Sequence, residues 1–463
     1  MRCRCAAALA AALLLALSAS THAAVVAPAT PVTPPQLRYD GPEGPGVIYA
    51  PTDAYAQLVR QLTAGLAVTA DAFLKDQELP DDGVVIASAP PANVTVDQVK
   101  QALGTIMAAV SAEASARSSL GDPAVFPYND GTGRVALYRF PRRRARGTCI
   151  FVHGCKHDPH SWFYKSKKCP RCTGLPEEVS HSKQCLARGY AVLALMSLDR
   201  RYRFRCFSSS GGPGSNDHPS ARDLVTNWMN TFNMMGKAKF IFGVSSGASF
   251  AVKFPMTMWM DGVVSEVNMP WEKAWGATDG RGNLKVRFPP TAFYMMQRDD
   301  QTRRQIEQAT YILNRNGVPA EYVYVPARPV HRTWLAQRSV YINKQQSAQI
   351  WQALVKARVI DRRGNVLYDV RTNRKWVNQL LKAVPWLKQN DPFYNLVSDE
   401  SQIWQELNLA WAWHEIVSDY VRATLAWLEN PRRSNLNALV RKYNVRDNIA
   451  CLTEKREGCR GRG

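Results

Sequence analysis

The chain has 463 residues, of which 46% are hydrophobic and 13 are tryptophan, and this composition excludes a disordered protein because it can bury a large core. Its 59 lysines and arginines exceed its 38 aspartates and glutamates, which gives a formal net charge of +21. So much positive charge favours an anionic polysaccharide or a membrane surface as a partner. Nucleic acid is not expected, because the basic residues are spread along the chain.

The first 24 residues have the build of a secretory signal peptide. Arg2 and Arg4 precede a short run of alanine and leucine, and small residues follow as far as Ala24. We therefore expect a secreted protein or one of the endomembrane lumen, with a plastid transit peptide as the alternative. Eight cysteines follow residue 24, and an even number in that compartment predicts disulfides. Asn93 begins an N-glycosylation sequon.

Residues 25–120 are interpreted as a Pro/Ala-rich linker followed by a small helical region. Residues 25–46 are rich in proline and alanine, which favours a linker. Residues 47–120 contain alanine-rich stretches with helical spacing, such as AYAQLVRQLTAGLAVTADAFL, between the turn signals LPDDG and APPAN. No function is predicted for this region.

Residues 121–331 alternate short apolar runs with longer helical stretches. Such alternation predicts an α/β fold with a mostly parallel sheet that is covered on both faces. The predicted strands are RVALYRF (134–140), TCIFVHG (148–154), YAVLALMS (190–197), KFIFGV (239–244), GVVSEVN (262–268), TAFYMMQ (291–297) and AEYVYVP (320–326). The predicted helices between them span 174–189, 218–236 and 301–317.

The predicted strands stop at residue 331. Residues 332–406 have a helical pattern rich in Trp, Arg and Lys, and we interpret them as a helical cap inserted between the last strand and a catalytic histidine. Residues 407–430 are predicted as the final core helix, in which HEIVSDYVRATLAWLE forms one long amphipathic helix. Residues 431–463 form a basic C-terminal tail that carries Cys451 and Cys459.

The stretch FIFGVSSGAS (240–249) carries the main functional hypothesis. Ser245 has one glycine two residues before it, Gly243, and another two residues after it, Gly247. A nucleophile elbow needs this spacing because its serine lies on a sharp turn between a strand and a helix, where larger side chains would collide. Since KFIF supplies the strand and GASFAVKF can begin the helix, Ser245 is predicted to be a nucleophile rather than part of a glycine-rich loop.

A serine hydroxyl needs a base to accept its proton and an acid to orient that base. Asp299 and Asp300 end a predicted strand, and we favour Asp299 as the acid, with Asp300 as the alternative. One of the two can cap the helix that follows while the other orients the base. We favour His414 as the base because it lies where the chain enters the last helix, and His331, just after the last strand, is the alternative.

Backbone amides are expected to bind the oxyanion that forms during acyl transfer. The amide of Cys155, which follows the strand-ending sequence FVHG, would point at the carbonyl oxygen together with the amide of Ser246. His157 is expected to line or flank the mouth of the pocket. Trp411 and Trp413 flank the candidate base, which makes them candidates for the substrate pocket as well.

Cys169 and Cys172 form a C-x-x-C motif. Such a pair can be half of a zinc site, a redox pair or a short disulfide. No second pair follows at zinc-finger spacing, so we favour structural disulfides that involve the nearby Cys155, Cys185 or Cys206. Neither a metal ion nor a cofactor is expected.

The order His-Gly, Gly-x-Ser-x-Gly, Asp and His on alternating strands resembles the α/β-hydrolase superfamily. The stretches HGC, CPRCTGLPEEV, LARGYAVLA, SSG and ELNLAWAWHE resemble, more narrowly, a group of plant and algal α/β-hydrolase-like proteins of unestablished activity. The resemblance covers residues 130–430. It implies Ser245, Asp299 and His414 as a catalytic triad, with the amides of Ser246 and Cys155 as oxyanion donors.

The predicted function is that of a serine hydrolase, a carboxylic-ester hydrolase that acts on a small ester or acyl substrate through an acyl-enzyme. One alternative is a non-catalytic binding protein on the same scaffold that recognises anionic cell-wall or extracellular polymers. A further alternative is an acyltransferase or a peptidase with the same triad, because water and other acceptors can use the same elbow.

Overall fold

The structure is a computed structural model. The residues that it describes are 36–41, 44–49, 85–87, 122–200, 204–209, 217–339, 341–388 and 401–443. The chain divides into two units, Met1–Ser115 and Ala116–Gly463. The predicted signal peptide and the residues Asn93, Cys451 and Cys459 lie outside the described part of the chain.

The described residues of the first unit form a three-stranded antiparallel sheet with β1 in its centre. Its strands are β1 (Gln36–Gly41), β2 (Gly44–Tyr49) and β3 (Val85–Ala87). The first two lie where the sequence analysis places the linker and the start of the helical region. The runs LRY and VIY flank a Pro/Gly-rich stretch, which is a hairpin pattern that the proline and alanine content of the segment obscured.

The second unit is built on an eight-stranded sheet with the strand order β11-β10-β9-β8-β6-β7-β5-β4. The strands are β4 (Ala124–Pro127), β5 (Val135–Arg139), β6 (Gly147–Val152), β7 (Tyr190–Leu195), β8 (Ala238–Val244), β9 (Gly262–Glu266), β10 (Thr291–Met296) and β11 (Ala320–Val325). All pairings from β7 through β6 to β11 are parallel, while β4 and β5 add two antiparallel pairings at one edge. The predicted α/β class is confirmed, and β4 is an edge strand that the sequence analysis missed.

The helices of the second unit cover both faces of this sheet. They are α1 (Pro176–Ala187), α2 (His218–Thr231), α3 (Ser246–Ala251), α4 (Glu272–Trp275), α5 (Asp300–Arg315), α6 (Trp334–Arg338), α7 (Lys344–Lys356), α8 (Lys375–Ala383), α9 (Gln402–Trp411), α10 (Val421–Leu428) and α11 (Leu436–Tyr443). Side chains alternate along β6 and β8, so Phe151 and Phe242 belong to one apolar core and Ile150 and Ile241 to the other. No helix in the described part of the chain is long and apolar enough to span a bilayer.

The helices that follow β11 share a core with one face of the sheet. Trp334 of α6, Ile350 of α7 and Trp376 of α8 are buried in the same cluster as Phe151 and Phe242. The described part of the predicted inserted segment contains α6, α7, α8 and the start of α9 together with a non-helical stretch over 357–374, and it packs directly on the sheet rather than around a core of its own.

The predicted single helix over 407–430 is wrong. Helix α9 ends at Trp411 and α10 begins at Val421, with an irregular loop between them. Ala412 and His414 have left-handed backbone conformations, with φ of 56° and 45°, and a right-handed helix cannot continue through such residues. In the tail, α11 buries Leu436, and the other described residues of 431–443 are exposed or half-buried.

Candidate active site

Ser245 lies on the sharp turn between β8 and α3. Its φ of 53° and ψ of −114° are far from those of either neighbouring element, and a serine tolerates this strained conformation only where its surroundings enforce it. The backbone N–H of Ser245 donates to the carbonyl of Glu266, at a distance of 3.0 Å, and the side-chain amide of Asn268 donates to the carbonyl of Ser245 at 2.9 Å. The turn is thus held on both sides.

The two elbow glycines are required by close approaches of the backbone. A Cβ atom at Gly243 would lie 2.1 Å from the carbonyl oxygen of Gly247. A Cβ atom at Gly247 would lie 2.2 Å from the carbonyl oxygen of Val152, at the end of β6. Since no Cβ contact is that short, the glycine spacing seen in the sequence reflects a real steric constraint of the elbow.

Ser245, His414 and Asp299 form a continuous chain of hydrogen bonds. The Oγ of Ser245 lies 2.9 Å from Nε2 of His414, and Nδ1 of His414 lies 2.8 Å from Oδ2 of Asp299. The other carboxylate oxygen of Asp299 accepts from the N–H of Thr302 and caps α5. One aspartate therefore performs both functions that the sequence analysis divided between Asp299 and Asp300.

Burial opposes ionisation of Asp299, but the hydrogen bonds from His414 and Thr302 and the interaction with the imidazole outweigh it, and the pKa of Asp299 lies below its usual value. An ionised carboxylate beside Nδ1 favours the tautomer in which Nδ1 carries the proton. That tautomer leaves Nε2 as an acceptor for the hydroxyl of Ser245.

The two alternative residues lie elsewhere. Asp300 is exposed and pairs with Arg303 at 2.7 Å. His331 is exposed on the loop after β11, where its Nδ1 lies 3.1 Å from the hydroxyl of Thr333. Neither is part of the hydrogen-bonded chain at Ser245.

Two arginines donate hydrogen bonds to backbone carbonyls of the loop that carries His414, residues 412–420. The guanidinium of Arg371 donates to the carbonyl of Trp413 at 2.7 Å and to that of His414 at 3.2 Å. The backbone N–H of Arg298 donates to the carbonyl of Ala412 at 3.0 Å. These bonds offset the cost of the left-handed residues and hold the imidazole in place.

Two buried carboxylates accept hydrogen bonds from backbone N–H groups of the same loop. The N–H of Val417 donates to Glu266, whose other oxygen lies 2.7 Å from Nε2 of His181. The N–H and hydroxyl of Ser418 donate to Glu177 at 2.7 and 2.9 Å. Each of these side chains is almost fully buried, so the loop cannot shift without breaking hydrogen bonds in the core.

A buried arginine connects this loop with the helical segment. Arg338 of α6 pairs with Glu177 of α1 at 2.8 Å, with Glu406 of α9 at 2.8 Å and with Asp419 of the loop at 2.9 Å. Burial raises the pKa of Glu406 well above its usual value. For Asp419, burial is outweighed by the charges of Arg338 and Arg328, and its pKa is lowered.

The two predicted oxyanion donors flank the elbow. Ser246 is the first residue of α3, where backbone N–H groups have no partner within the helix. Cys155 lies on the wall of the cavity at Ser245, and the preceding Gly154 runs so close that a Cβ there would lie 3.4 Å from Cβ of Ser245. A disulfide joins Cys155 to Cys206.

His153 is buried next to these donors, and its ring forms hydrogen bonds with the backbone. Its Nδ1 lies 2.8 Å from the carbonyl oxygen of Gly154, and its Nε2 lies 3.4 Å from the N–H of Ser197. Burial lowers the pKa of His153 to about 3, so the ring is neutral, donates from Nδ1 and accepts at Nε2.

A cavity of about 200 Å³ opens at Ser245 and His414. Its wall consists of residues from α1, β8, α9 and the loops around them: His153, Gly154, Cys155, Lys156, His157, Trp162, Glu178, Val244, Ser245, Arg371, Trp404, Asn408, His414, Glu415 and Ile416. His157 lines it, as predicted from the sequence.

Trp411 and Trp413 are not among the lining residues of this cavity. Instead, the guanidinium of Arg298 lies 3.8 Å from the ring centre of Trp411, and that of Arg371 lies 3.8 Å from the ring centre of Trp413. The left-handed turn at Ala412 redirects both rings toward these arginines, where they help to hold the loop. The tryptophans on the wall are Trp162 and Trp404, and no sequence pattern singles them out because tertiary packing brings them there.

The two glutamates on the wall of the cavity, Glu178 and Glu415, accept hydrogen bonds from neighbouring groups. Nδ1 of His157 lies 2.8 Å from Glu178, which also accepts from the side chain of Gln405 at 2.7 Å. Glu415 accepts from its neighbour's backbone, Ile416 N–H, at 3.1 Å. Burial raises the pKa of Glu415 to about 7, although the nearby positive charges oppose this shift.

Two disulfides lie within the described residues. Cys155 pairs with Cys206 across 51 positions, and Cys169 pairs with Cys172 across three. The C-x-x-C motif is therefore a short disulfide, and the expectation of structural disulfides is confirmed for these four residues. Cys185, which was considered as a partner, is buried and free.

Comparisons with known proteins identify no family. No family model and no curated protein match the chain. Among solved structures, it is similar to an α/β hydrolase from a Medee basin deep-sea metagenome library, with 13% identity over 45% of this chain and 82% of that one, at a TM-score of 0.32. It is also similar to a thermostable carboxyl esterase from Bacillus coagulans, with 11% identity over 45% of this chain and 91% of that one, at a TM-score of 0.31. An esterase from Pyrobaculum calidifontis is similar with 12% identity over 50% of this chain and 84% of that one, at a TM-score of 0.30.

These likenesses are too distant to carry an argument about activity. The functional conclusion rests on the geometry at Ser245.

Proposed function

We propose that the protein is a serine hydrolase, more specifically a carboxylic-ester hydrolase that acts through an acyl-enzyme. The observation that carries this proposal is the chain of hydrogen bonds from Ser245 through His414 to Asp299, at 2.9 and 2.8 Å. Three residues spread between positions 245 and 414 of the chain meet at the carboxyl edge of one sheet in the order of nucleophile, base and acid.

In the proposed reaction, Oγ of Ser245 attacks the carbonyl carbon of the ester while Nε2 of His414 accepts the hydroxyl proton. The carboxylate of Asp299 stabilises the imidazolium that forms and keeps the ring oriented. The amides of Ser246 and Cys155 bind the oxyanion. His414 then gives its proton to the departing alcohol, and water, activated by the same histidine, hydrolyses the acyl-enzyme.

The alternative of a non-catalytic binding protein is disfavoured by this geometry. A scaffold that has lost its chemistry has no need to keep a strained serine, a base within hydrogen-bond distance and a carboxylate behind the base. Here Ser245 has a φ of 53°, and two left-handed residues place His414 against it. Such strain is typical of functional sites.

We also propose that the protein is secreted or resides in the endomembrane lumen, where it meets a small ester substrate and an anionic polysaccharide or membrane surface. The N-terminal sequence and the net charge of +21 support this. The disulfides Cys155–Cys206 and Cys169–Cys172 fit an oxidising compartment.

A fluorophosphonate probe tests the proposed nucleophile. The purified protein is expected to be labelled at Ser245, and Ser245→Ala should abolish labelling while leaving the melting temperature unchanged. The matched control is Ser246→Ala, which keeps the backbone amide and should be labelled at a rate within a few-fold of the parent protein. Labelling that persists in Ser245→Ala, or no labelling of the parent protein, refutes the proposal.

A further inference from the structure

Glu266 forms hydrogen bonds with both halves of the proposed active site. It is the last residue of β9 and is fully buried. Its backbone carbonyl accepts from the N–H of Ser245 at 3.0 Å. Its carboxylate accepts from the N–H of Val417 at 3.1 Å, in the loop that carries His414. One residue therefore connects the turn of the nucleophile with the loop of the base.

The backbone that follows Glu266 is strained. Val267 has a φ of 52°, and a β-branched residue rarely adopts this left-handed conformation. Its N–H donates to the carbonyl of Tyr294 in β10 at 3.0 Å, and the next residue, Asn268, donates to the carbonyl of Ser245 at 2.9 Å. Strain of this kind persists only where the surroundings enforce it, and it is typical of functional sites. The conformation of the chain thus points to the same segment as the hydrogen bonds do.

The second oxygen of the Glu266 carboxylate lies against a buried histidine. Nε2 of His181 lies 2.7 Å from Oε1 of Glu266, and Nδ1 of His181 lies 2.7 Å from the backbone carbonyl oxygen of Glu177. Because a carbonyl oxygen only accepts, Nδ1 carries a proton. Nε2 and Oε1 must then share one further proton, since two lone pairs would repel at that distance.

The pair of His181 and Glu266 is therefore neutral as a unit, whether the shared proton lies on the imidazole or on the carboxyl group. In both states the other carboxyl oxygen of Glu266 accepts from Val417. Burial raises the pKa of Glu266, and for His181 burial is outweighed by the charge of Glu266, so the pKa of His181 is raised as well. Both shifts favour retention of the shared proton.

We propose that Glu266 is a positioning residue, which holds the turn of Ser245 through its backbone and the loop of His414 through its side chain. This inference rests on the proposed hydrolase function. The two contacts keep the hydroxyl of Ser245 at hydrogen-bond distance from Nε2 of His414, and a small displacement of either group is costly for the reaction. Glu266 acts through hydrogen bonds and not through its charge, because its pair with His181 is neutral.

Two substitutions of Glu266 test this proposal, and both keep the backbone carbonyl that binds Ser245. In Glu266→Gln the amide oxygen can accept from Val417 and the NH₂ group can donate to Nε2 of His181, whereas Glu266→Leu can do neither. We expect Glu266→Leu to lower kcat of the folded protein about 10- to 100-fold with a change in KM below about threefold, and Glu266→Gln to recover most of this loss. A parental kcat in Glu266→Leu, or an equal loss in both variants, would overturn the proposal.

A double variant separates positioning from stability. The ring of His181 packs edge-on against Phe151 and Phe242, with ring centres 6.1 and 6.2 Å apart, so a phenylalanine is compatible with this site. Glu266→Leu together with His181→Phe replaces both partners by apolar side chains, which should restore much of the stability that Glu266→Leu loses. We expect kcat to stay low, because the N–H of Val417 still lacks its acceptor. Recovery of kcat together with stability would show a purely structural function and overturn the proposal.

The matched control is Glu321→Leu. Glu321 is also a strand glutamate, in β11, and its carboxylate accepts from the indole of Trp427 in α10 and from the N–H of Leu436 in α11, each at 2.9 Å. Its loss should lower stability and leave kcat within about twofold of the parent protein. A loss of kcat as large as that in Glu266→Leu would refute the special position of Glu266.

The fluorophosphonate probe separates this inference from the proposed function. Its reaction with Ser245 also needs His414 in place, so Glu266→Leu should be labelled at least about tenfold more slowly than the parent protein. A parent protein that is not labelled refutes the hydrolase function and the inference together. A parent protein that is labelled, with an equal rate in Glu266→Leu, refutes the positioning by Glu266 alone.

Discussion

The Nδ1 atom of His153 lies 2.8 Å from the carbonyl oxygen of Gly154. In a trans peptide the carbonyl and the following N–H point in opposite directions, so this bond also orients the amide of Cys155. A buried histidine that does not touch the reacting atoms thus positions one of the two proposed oxyanion donors.

The first prediction follows from this contact. His153→Phe should lower kcat about 10- to 100-fold with little change in KM, because a misplaced donor affects the transition state more than substrate binding. The pH profile should keep its shape, since the pKa of His153 near 3 keeps the ring neutral throughout. The control His331→Phe alters an exposed residue and should be close to the parent protein. A changed pH profile in His153→Phe would instead indicate a proton-transfer function.

The second prediction separates two adjacent aspartates. Asp299→Asn should lower kcat about 10³- to 10⁴-fold, because the amide can stabilise the wrong tautomer of His414. Asp300→Asn should change kcat less than twofold, since Asp300 is exposed and pairs with Arg303. Steady-state kinetics on one ester measures both. Comparable losses in the two variants would contradict the assignment of the acid.

The third prediction concerns Glu415 and the pH dependence of stability. Its pKa of about 7 in the folded protein lies above the ordinary value of 4.5, so the folded state binds this proton more tightly than the unfolded state does. Its contribution to stability is therefore present below pH 4.5 and is lost as pH rises toward 7. Glu415→Gln should raise the free energy of unfolding at pH 8 by up to about 3 kcal/mol and leave it unchanged near pH 4.

Denaturant unfolding at the two pH values measures this difference. Glu307→Gln is the control, because Glu307 is exposed on α5 and its substitution should have the same small effect at both pH values. A Glu415→Gln variant that is less stable than the parent protein at pH 8 would show that the carboxylate form is favoured in the fold.

The fourth prediction compares the two disulfides. Closing 51 positions restricts the unfolded chain more than closing three, so loss of Cys155–Cys206 should cost about 4 kcal/mol and loss of Cys169–Cys172 about 2 kcal/mol or less. Paired alanine substitutions and chemical denaturation measure both. Loss of the first bond should also lower kcat, because Cys155 is one of the two proposed oxyanion donors, whereas loss of the second should not. A larger loss of stability or of kcat after removal of Cys169–Cys172 than after removal of Cys155–Cys206 would contradict this prediction.

Local sequence predicted the elbow well because its requirements are local. Ten residues contain all of its parts: the end of a strand, the serine with a glycine on each side at fixed spacing, and the start of a helix. The steric contacts of Gly243 and Gly247 explain the spacing. His414 was found from chain order, although its loop was predicted to be helical. The left-handed residues Ala412 and His414 end the helix, and alanine is not a residue type that indicates such a conformation.

The wall of the cavity could not be predicted in the same way. Trp162 follows β6 and Trp404 lies in α9, more than 200 positions apart, and packing alone brings both residues to the wall of the cavity at Ser245. Trp411 and Trp413 were closer to His414 in sequence, but a single turn of the backbone sends their rings to Arg298 and Arg371. Proximity along the chain is a weak guide to the surface that a side chain joins.

Arg338 has a consequence for how a substrate reaches the nucleophile. It connects α6, α1, α9 and the loop of His414 through Glu177, Glu406 and Asp419, all within the core. Swinging the helical segment away as a rigid flap would separate Arg338 from Glu177 and Asp419, and breaking buried ion pairs of this kind costs about 3–5 kcal/mol, far above thermal energy. Entry must therefore proceed through small side-chain movements at the rim, and traffic in and out of the pocket is expected to be insensitive to hinge-type mutations.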